Sequence, residues 1–276
     1  MNKWMKRGLL FLGLALSFFP MVSNLIVQHN QRATIATYQQ AVDTTEDKQV
    51  EESVEAAKKY NELLFKMQGA VVDDLNLVGD EAYEEQLNYA DNDIMGSLEI
   101  PKINVNLSIY HGTEDEVLSE GIGHLQWSSL PVGGENTHCI LTGHRGLPSS
   151  KLLVRLDEME LDDYFFLRVG NETLAYQVID INVIEPEEVD GLEIQAGKDL
   201  VSLVTCTPYG INTHRLVVTG TRVEYEDTDY EEIEASMPSA REILITLFPF
   251  CLLLLVISVY LGRRFRKTHE KKKQVE

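Results

Sequence analysis

The residues of this sequence that are best suited to chemistry include a cysteine and an arginine, each beside an apolar run. Cys206 ends the run that begins at Leu200, and the turn-forming residues 207–210 follow it. A thiol at the end of a strand and next to a loop can be exposed to a substrate. Its reactive form is the thiolate, which a nearby cation favours. Arg215 begins the next apolar run, so pairing of the two runs would bring its guanidinium beside Cys206. The alternative is a buried structural cysteine.

His144 is placed in the same way, after the apolar run 139–142 and inside a turn-forming stretch. An imidazole at a strand end can donate a proton to a leaving amine. In isolation, a solvated loop histidine is the better interpretation. A cysteine and a histidine this far apart in sequence become a catalytic pair only in a fold that brings them together.

The other histidines and the densest acidic stretch have plainer interpretations. His138 is predicted to pack within a strand, and His111, His124 and His214 lack metal-like spacing to one another or to paired carboxylates. The acidic residues 157–163 fit a solvated turn better than a calcium site, because the spacing of an EF-hand loop and its glycine are missing. No metal site is predicted.

Charge is unevenly distributed along the 276 residues, whose formal net charge is −20. Residues 28–240 contain 41 acidic and 13 basic side chains, a formal charge of −28, whereas basic residues concentrate at both ends. Such an acidic segment argues against a nucleic-acid partner, because phosphates would be repelled. The three cysteines, Cys139, Cys206 and Cys251, are too few to define a disulfide framework.

Two apolar runs are candidate membrane spans. Residues 8–27 follow three basic residues, and residues 243–261 precede seven. About 20 apolar residues are needed for a helix to cross the hydrocarbon core. Because basic flanks favour the cytoplasm, both termini are predicted to be cytoplasmic and the intervening part to lie outside. The first run is interpreted as an uncleaved anchor, with a cleaved signal peptide as the alternative.

Between these runs, a helical part precedes a part rich in strands. Apolar residues recur at three- and four-residue intervals and predict a helix over residues 30–68, whereas the acidic residues 70–92 are predicted to be a loop. From Ile94 the pattern alternates, breaks at Pro101 and resumes, which predicts two strands. Short strands separated by turn residues indicate an all-β barrel or sandwich. Further strands are predicted at 138–142, 164–169, 173–184, 200–205 and 216–223, with a hairpin turn at Gly170-Asn171.

Four stretches of the sequence together resemble the sortase family. Residues 203–215, LVTCTPYGINTHR, resemble its nucleophile strand and the arginine that follows, and residues 142–148, TGHRGLP, resemble its histidine motif. Residues 94–103 and 109–113 match its first strands. The form of the two long motifs, the helical N-terminal extension and the C-terminal apolar helix are similar to class C, the pilin-polymerising sortases.

The resemblance implies a closed, all-β barrel with an N-terminal helical extension and two transmembrane helices, and the activity of a cysteine transpeptidase. Cys206 would attack the Thr–Gly carbonyl of an LPxTG-like sorting signal, and His144 would act first as acid and then as base. Arg215 would hold the substrate and stabilise the oxyanion. In class C the acceptor is a lysine ε-amine of the next pilin subunit. The resemblance implies no cofactor and no metal.

One departure from class C concerns the lid that covers the groove in that class. Its Asp-Pro-aromatic motif has no counterpart in residues 62–92, which contain no proline. Asp73 and Asp74 are the candidates to pair with Arg215 in its place. The alternative, which the composition favours, is a solvated acidic loop.

The predicted organisation places the catalytic domain at residues 93–225, outside the membrane of a Gram-positive-type cell envelope. Two other functions remain open. A cell-wall anchoring sortase would use a peptidoglycan amine as acceptor, and a non-catalytic adhesion or scaffold module would have an ordinary thiol at Cys206. The other predicted segments are a cytoplasmic N-terminus (1–7), a span or signal anchor (8–27), a helical extension with a possible lid (28–92), an acidic linker (226–242), a second span (243–261) and a basic cytoplasmic tail (262–276).

Overall fold

The computed structural model describes residues 3–67, 80–89, 93–145, 152–226, 230, 233, 237 and 240–273. The chain divides into two compact units. One comprises Met1–Ile26 with Met237–Glu276, and the other is Val27–Ser236. Cys206, His144 and Arg215 all belong to the second unit.

The second unit is built around a closed barrel of eight strands. The strands are β1 (Ile94–Ile100), β2 (Val105–His111), β3 (Ile122–His124), β4 (Thr137–Thr142), β5 (Tyr164–Val169), β6 (Glu172–Ile184), β7 (Asp199–Thr207) and β8 (His214–Val223). Their order around the barrel is β1-β2-β3-β4-β7-β8-β6-β5. The β2–β3 and β4–β7 pairs are parallel and the others are antiparallel. The predicted closed all-β barrel is confirmed.

Two of the predicted breaks between strands occur where the sequence placed them. A short 3-10 turn, Pro101–Ile103, separates β1 from β2, because proline has no backbone N–H to contribute to a ladder. The β5–β6 hairpin turns at Gly170, whose φ is +55°. A glycine adopts this left-handed conformation without the steric cost that a Cβ would bring.

The helical part differs from the single helix predicted over residues 30–68. Helix α1 (Lys3–Thr44) ends before helix α2 (Asp47–Met67) begins. Asp47 lies in the first turn of α2, where a carboxylate interacts favourably with the helix dipole. The Thr45 hydroxyl bonds to the Ala41 carbonyl, a local contact typical of a helix end.

Both helices are tied to the barrel by buried polar side chains. The Tyr38 hydroxyl of α1 donates to the Met95 carbonyl at 2.9 Å and accepts from the Gly170 N–H at 3.0 Å. The Asn61 amide of α2 bonds both the N–H and the carbonyl of Leu130, at 2.7 and 3.1 Å. The N-terminal extension is therefore part of the same packed unit as the barrel.

Three short elements were not predicted. Strand β3 has three residues, too few for an alternating pattern, and helix α4 (Asp115–Glu120) has six. Helix α3 (Asp80–Glu84) lies in the stretch that was predicted to be a loop. Tyr83 of α3 and Leu87 beyond it are buried, with exposed fractions of 3% and 0%. The burial of these side chains against the rest of the fold, rather than a helical pattern of apolar residues, accounts for the helical structure of this segment.

The first unit contains the part of helix α1 up to Ile26 and a C-terminal helix, and both are apolar. Helix α1 is long and apolar enough to cross a membrane, and its apolar segment is not buried inside the protein. Helix α5 (Ala240–Lys273) contains a shorter apolar segment, Thr246–Gly262. Within this unit the rings of Phe18 and Phe250 meet edge to face, with centroids 5.4 Å apart.

Candidate active site

Cys206 and Arg215 face each other across the antiparallel pair β7–β8. Directly opposed residues in such a pair have their side chains on the same face, with Cβ atoms about 4.5–5.5 Å apart. Val201 and Leu203 of β7 belong to the core, so alternation along the strand turns Cys206 to the outer face of the barrel. This register places Arg215 beside Cys206, as predicted from the sequence.

His144 reaches the same face from the neighbouring strand on the other side. Strand β4 runs parallel to β7, with Thr142 opposite Val204. The Gly143 N–H donates to the Val204 carbonyl at 3.1 Å and so extends the ladder past the end of β4. His144 lies two residues beyond Thr142, and Cys206 lies two residues beyond Val204. The three predicted catalytic residues therefore occupy one end of the three adjacent strands β4, β7 and β8. We call this surface the groove face.

The residues that flank Cys206 are bonded to the residues that flank His144. The Thr205 hydroxyl donates to the Gly143 carbonyl at 2.7 Å. The Arg145 guanidinium donates from Nη1 to the Thr207 hydroxyl at 3.1 Å. Cys206 lies between the two threonines and His144 between Gly143 and Arg145. This double connection fixes the two chain segments relative to each other.

Comparison with known proteins identifies the fold and the family of this chain. The family model of the sortase domain matches residues 98–223. A crystal structure of Clostridium perfringens sortase C with the C-terminal cell wall sorting motif is 40% identical, covers 70% of this chain and 99% of its own, and has a TM-score of 0.62. This chain belongs to the sortase family, whose members are cysteine transpeptidases.

Two further relatives bear on the subclass. The crystal structure of Streptococcus pneumoniae sortase C, described together with its pilin substrate specificity, is 37% identical with a TM-score of 0.60. It covers 70% of this sortase and 97% of its own chain. Sortase D of Bacillus subtilis (strain 168) is 31% identical over 131 residues, which are 46% of this chain and 63% of that protein. The chain thus spans less than two thirds of this curated relative.

The two cysteines of the barrel differ in exposure. Cys206 is half-buried, whereas Cys139 on β4 is 2% exposed. Burial raises the pKa of the Cys139 thiol well above its ordinary value, with a smaller contribution from Asp199. Cys139 therefore remains a thiol within the core of this sortase. His144 and Arg215 are half-buried like Cys206.

One side of the groove face contains a polar contact to the β6–β7 connection. The His214 Nε2 atom lies 3.2 Å from the Glu185 carboxylate, and its Nδ1 atom lies 2.9 Å from the Thr213 hydroxyl. No role for His214 was predicted from the sequence. The structure gives it a contact between β8 and the segment that follows β6.

The buried histidines have hydrogen-bond partners that explain them as structural residues. His138 Nδ1 donates to the Glu193 carbonyl, and its Nε2 accepts from the Ser202 hydroxyl. His124, fully buried, lies between Tyr83 and the Ser129 carbonyl. Burial lowers the pKa of both imidazoles, to about 4 for His124. The predicted packing role of His138 is confirmed.

Four of the five acidic side chains in residues 157–163 form ion pairs with basic side chains. Asp157 pairs with Arg145, Glu158 with Arg155 at 2.7 Å, and Glu160 and Asp163 with Lys102 at 3.0 and 2.7 Å. Within the parts of the chain that the structure describes, no group of three or more His, Cys, Asp or Glu side chains could hold a metal ion.

The contacts of Arg145 were not predicted from the sequence. It lies in the motif that resembles the family, and it is 5% exposed. A charged residue inside an otherwise apolar and turn-forming stretch, followed by acidic residues 12 and 13 positions later, was the available signal. The lid candidates Asp73 and Asp74 lie outside the described residues.

Proposed function

We propose that this sortase is a membrane-anchored transpeptidase in which Cys206, His144 and Arg215 form the catalytic set. The observation that carries the proposal is the convergence of these three residues on one end of β4, β7 and β8, with Cys206 opposite Arg215. Neighbouring strands hold them, so little ordering is needed when substrate binds.

The proposed reaction has two acyl-transfer steps. The Cys206 thiolate attacks the Thr–Gly carbonyl of an LPxTG-like sorting signal, and the C–N bond breaks as His144 donates a proton to the leaving amine. An acceptor amine then attacks the thioacyl carbonyl, His144 takes its proton, and the thiolate of Cys206 departs. Arg215 stabilises the oxyanion of each tetrahedral intermediate through its N–H donors.

The acceptor in this proposal is a lysine ε-amine of another pilin subunit, and the product is an isopeptide bond. Support comes from the pilin substrate specificity described for the Streptococcus pneumoniae relative and from the likeness to the sorting-motif complex of the Clostridium perfringens relative. Residues 28–240, with 41 acidic and 13 basic side chains, are also electrostatically suited to approach by a cationic amine.

The membrane anchoring in this proposal uses both apolar helices. Helix α1 is apolar enough to cross the membrane, and the segment Thr246–Gly262 of α5 is followed by the basic residues 263–273. With basic flanks on the cytoplasmic side, the barrel lies outside the cell. A membrane-impermeant thiol reagent applied to intact cells should then label Cys206.

The decisive experiment mixes the full-length protein, in detergent micelles, with an LPxTG peptide and either a lysine-bearing pilin or a peptidoglycan-precursor amine. We expect a peptide thioester on Cys206 by intact mass and transfer to the pilin lysine. Transfer to the precursor amine alone would identify a wall-anchoring sortase instead. Cys206→Ala should abolish both adduct and transfer, whereas Cys139→Ala should keep both. Transfer by Cys206→Ala would refute the enzyme proposal.

Reactivity of the thiol separates the enzyme from an adhesion or scaffold module. Iodoacetamide should alkylate Cys206 faster than an ordinary exposed thiol at neutral pH, because the proposed base His144 can take the thiol proton as the sulfur attacks. Labelling at the rate of an unperturbed thiol would favour the non-catalytic module.

A further inference from the structure

Arg145 places a positive charge inside the protein next to the groove face. Its side chain is 2% exposed, although it follows His144 directly in the chain. Taking a charged group out of water is costly unless it is paired and hydrogen-bonded. The partners of Arg145 therefore indicate why a guanidinium is kept at this position.

Each nitrogen of the Arg145 guanidinium meets a different partner. Nε donates to the Val154 carbonyl at 3.3 Å, Nη1 donates to the Thr207 hydroxyl at 3.1 Å, and Nη2 pairs with the Asp157 carboxylate. Val154 and Asp157 belong to the segment 152–158, whereas Thr207 ends β7. A planar fork with donors in fixed directions can hold two segments at a set separation, which a lysine cannot do.

The two segments that Arg145 connects are those that position the thiol and the imidazole. Thr207 follows Cys206 directly, and the segment 152–158 also holds the backbone of His144, because the Leu153 N–H donates to the His144 carbonyl at 3.2 Å. Displacement of Arg145 would release one side of the double connection between the two segments. The Thr205–Gly143 bond on the other side would remain.

We propose that Arg145 is a positioning residue that sets the distance between Cys206 and His144 through its contacts with Thr207 and the segment 152–158. The inference rests on the proposed function, since it concerns the geometry of the same thiol and imidazole. A misplacement of about 1 Å between reacting groups can lower a rate about 100-fold. Arg145 acts in this way without touching the substrate.

The sharpest test changes only the acceptor on β7. Thr207→Val removes the hydroxyl that Arg145 reaches, nearly preserves the side-chain shape, and leaves the Val154 and Asp157 contacts in place. We expect kcat to fall about 10-fold with KM within about two-fold, because positioning rather than substrate binding is lost. Thr207→Ser restores the hydroxyl and should recover kcat to within about three-fold. A Thr207→Val enzyme with the kcat of the wild type would overturn the proposal.

A second readout does not depend on turnover. The rate of Cys206 alkylation by iodoacetamide, measured against pH in the full-length protein, reports how closely the thiol and the imidazole are coupled. Thr207→Val and Arg145→Gln should both shift this profile towards that of His144→Ala. The matched control is Arg168→Gln, which breaks the 3.0 Å ion pair to Glu99 between β5 and β1 and should leave the profile unchanged.

The two readouts keep this inference distinct from the proposed function. If the wild type forms no adduct and transfers no peptide, the proposed function fails, while the alkylation profiles still decide the role of Arg145. If the wild type is active and Thr207→Val loses activity only in proportion to its lost folded fraction, with an unchanged alkylation profile, then Arg145 is merely structural and the inference is wrong.

Discussion

His144 and His124 lie in two regions that look alike in sequence and differ in the folded protein. His144, beyond the end of β4, is half-buried on the groove face. His124, at the end of β3, is fully buried in what we call the buried histidine network, made of Tyr83, His111, His124, Ser128 and Ser129. Both histidines lie at or just beyond the end of a strand, but only His144 is partly exposed.

The buried histidine network shows what a structural histidine requires. His124 Nε2 donates to the Ser129 carbonyl at 2.9 Å, and Nδ1 lies 2.9 Å from the Tyr83 hydroxyl, which itself accepts from the Gly112 N–H. These partners hold a neutral imidazole in one tautomer. A histidine held in this way stabilises the fold and is poorly suited to transfer protons, whereas His144 lies level with a thiol on an accessible face.

The largest expected difference between the two regions is in activity. His144→Ala should lower kcat/KM for peptide transfer by about 10²–10⁴-fold, the usual contribution of a general acid or base, with little change in thermal stability. His124→Gln should leave the activity of the folded fraction close to that of the wild type. Steady-state transfer assays beside thermal unfolding would check both. An active His144→Ala enzyme would remove the distinction between the two histidines.

The next difference is in the pH dependence of stability. Burial holds the pKa of His124 near 4, below the 6.5 of an unfolded histidine, so the unfolded chain binds the proton first as pH falls. This corresponds to about 3 kcal/mol of stability that is complete above pH 6.5 and is lost as the pH falls towards 4. His111 and His138 act in the same direction, since burial lowers their pKa as well.

Urea unfolding of the fragment 27–236 between pH 4 and 7 would measure this loss. In His124→Gln the decline with falling pH should be smaller than in the wild type by roughly the same 3 kcal/mol. The variant should also be less stable at pH 7, because the buried Tyr83 hydroxyl loses the Nδ1 acceptor. Equal slopes in the two proteins would mean that His124 is not the residue that titrates.

A smaller effect is expected from a conservative change on the groove face. Arg215→Lys keeps the charge but replaces a planar fork of donors by a single ammonium group. We expect kcat/KM to fall by roughly 10- to 100-fold, because the oxyanion loses part of its preorganised stabilisation. Lys102→Arg, at an ion pair away from the groove, is the matched control. Wild-type kinetics for Arg215→Lys would show that only the charge is used.

The smallest effect tests whether the two ends of β7 act independently. Asp199, at the start of the strand that carries Cys206, accepts from the Gly134 N–H at 2.8 Å and the Tyr176 hydroxyl at 3.0 Å. Asp199→Asn should lower the free energy of unfolding by about 1–2 kcal/mol and leave transfer unchanged. A loss of activity at constant stability would mean that the structural end of β7 communicates with the groove face.

Much of the site could be predicted because it depends on local patterns. Alternation along β7 and β8, with the turn between them, placed Cys206 and Arg215 on adjacent strand ends, and the register confirms that they are opposite each other. His144 was harder, because its position depends on the parallel pairing of β4 with β7, strands separated by more than 50 residues. No local pattern specifies a parallel partner, so the placement of His144 beside Cys206 was predicted from the family resemblance.

Helix α3 and the contacts of Arg145 could not be predicted for the same reason. Each depends on burial against residues that are distant in sequence. Tyr83 is helical in a stretch without periodicity because its ring packs beside His111 and His124. Arg145 is buried because Thr207 and Asp157, 62 and 12 residues away, supply its partners.

The sequence by itself determined which side chains can carry thiol chemistry, the order of the strands along the chain and the apolar helices at its two ends, because these follow from residue type and short-range period. The tertiary structure decided which histidine faces the groove and which is buried, and that a guanidinium connects the segments beside them. The physical reason is that burial and hydrogen-bond partners arise from contacts across the barrel, which the chain makes only once it has closed.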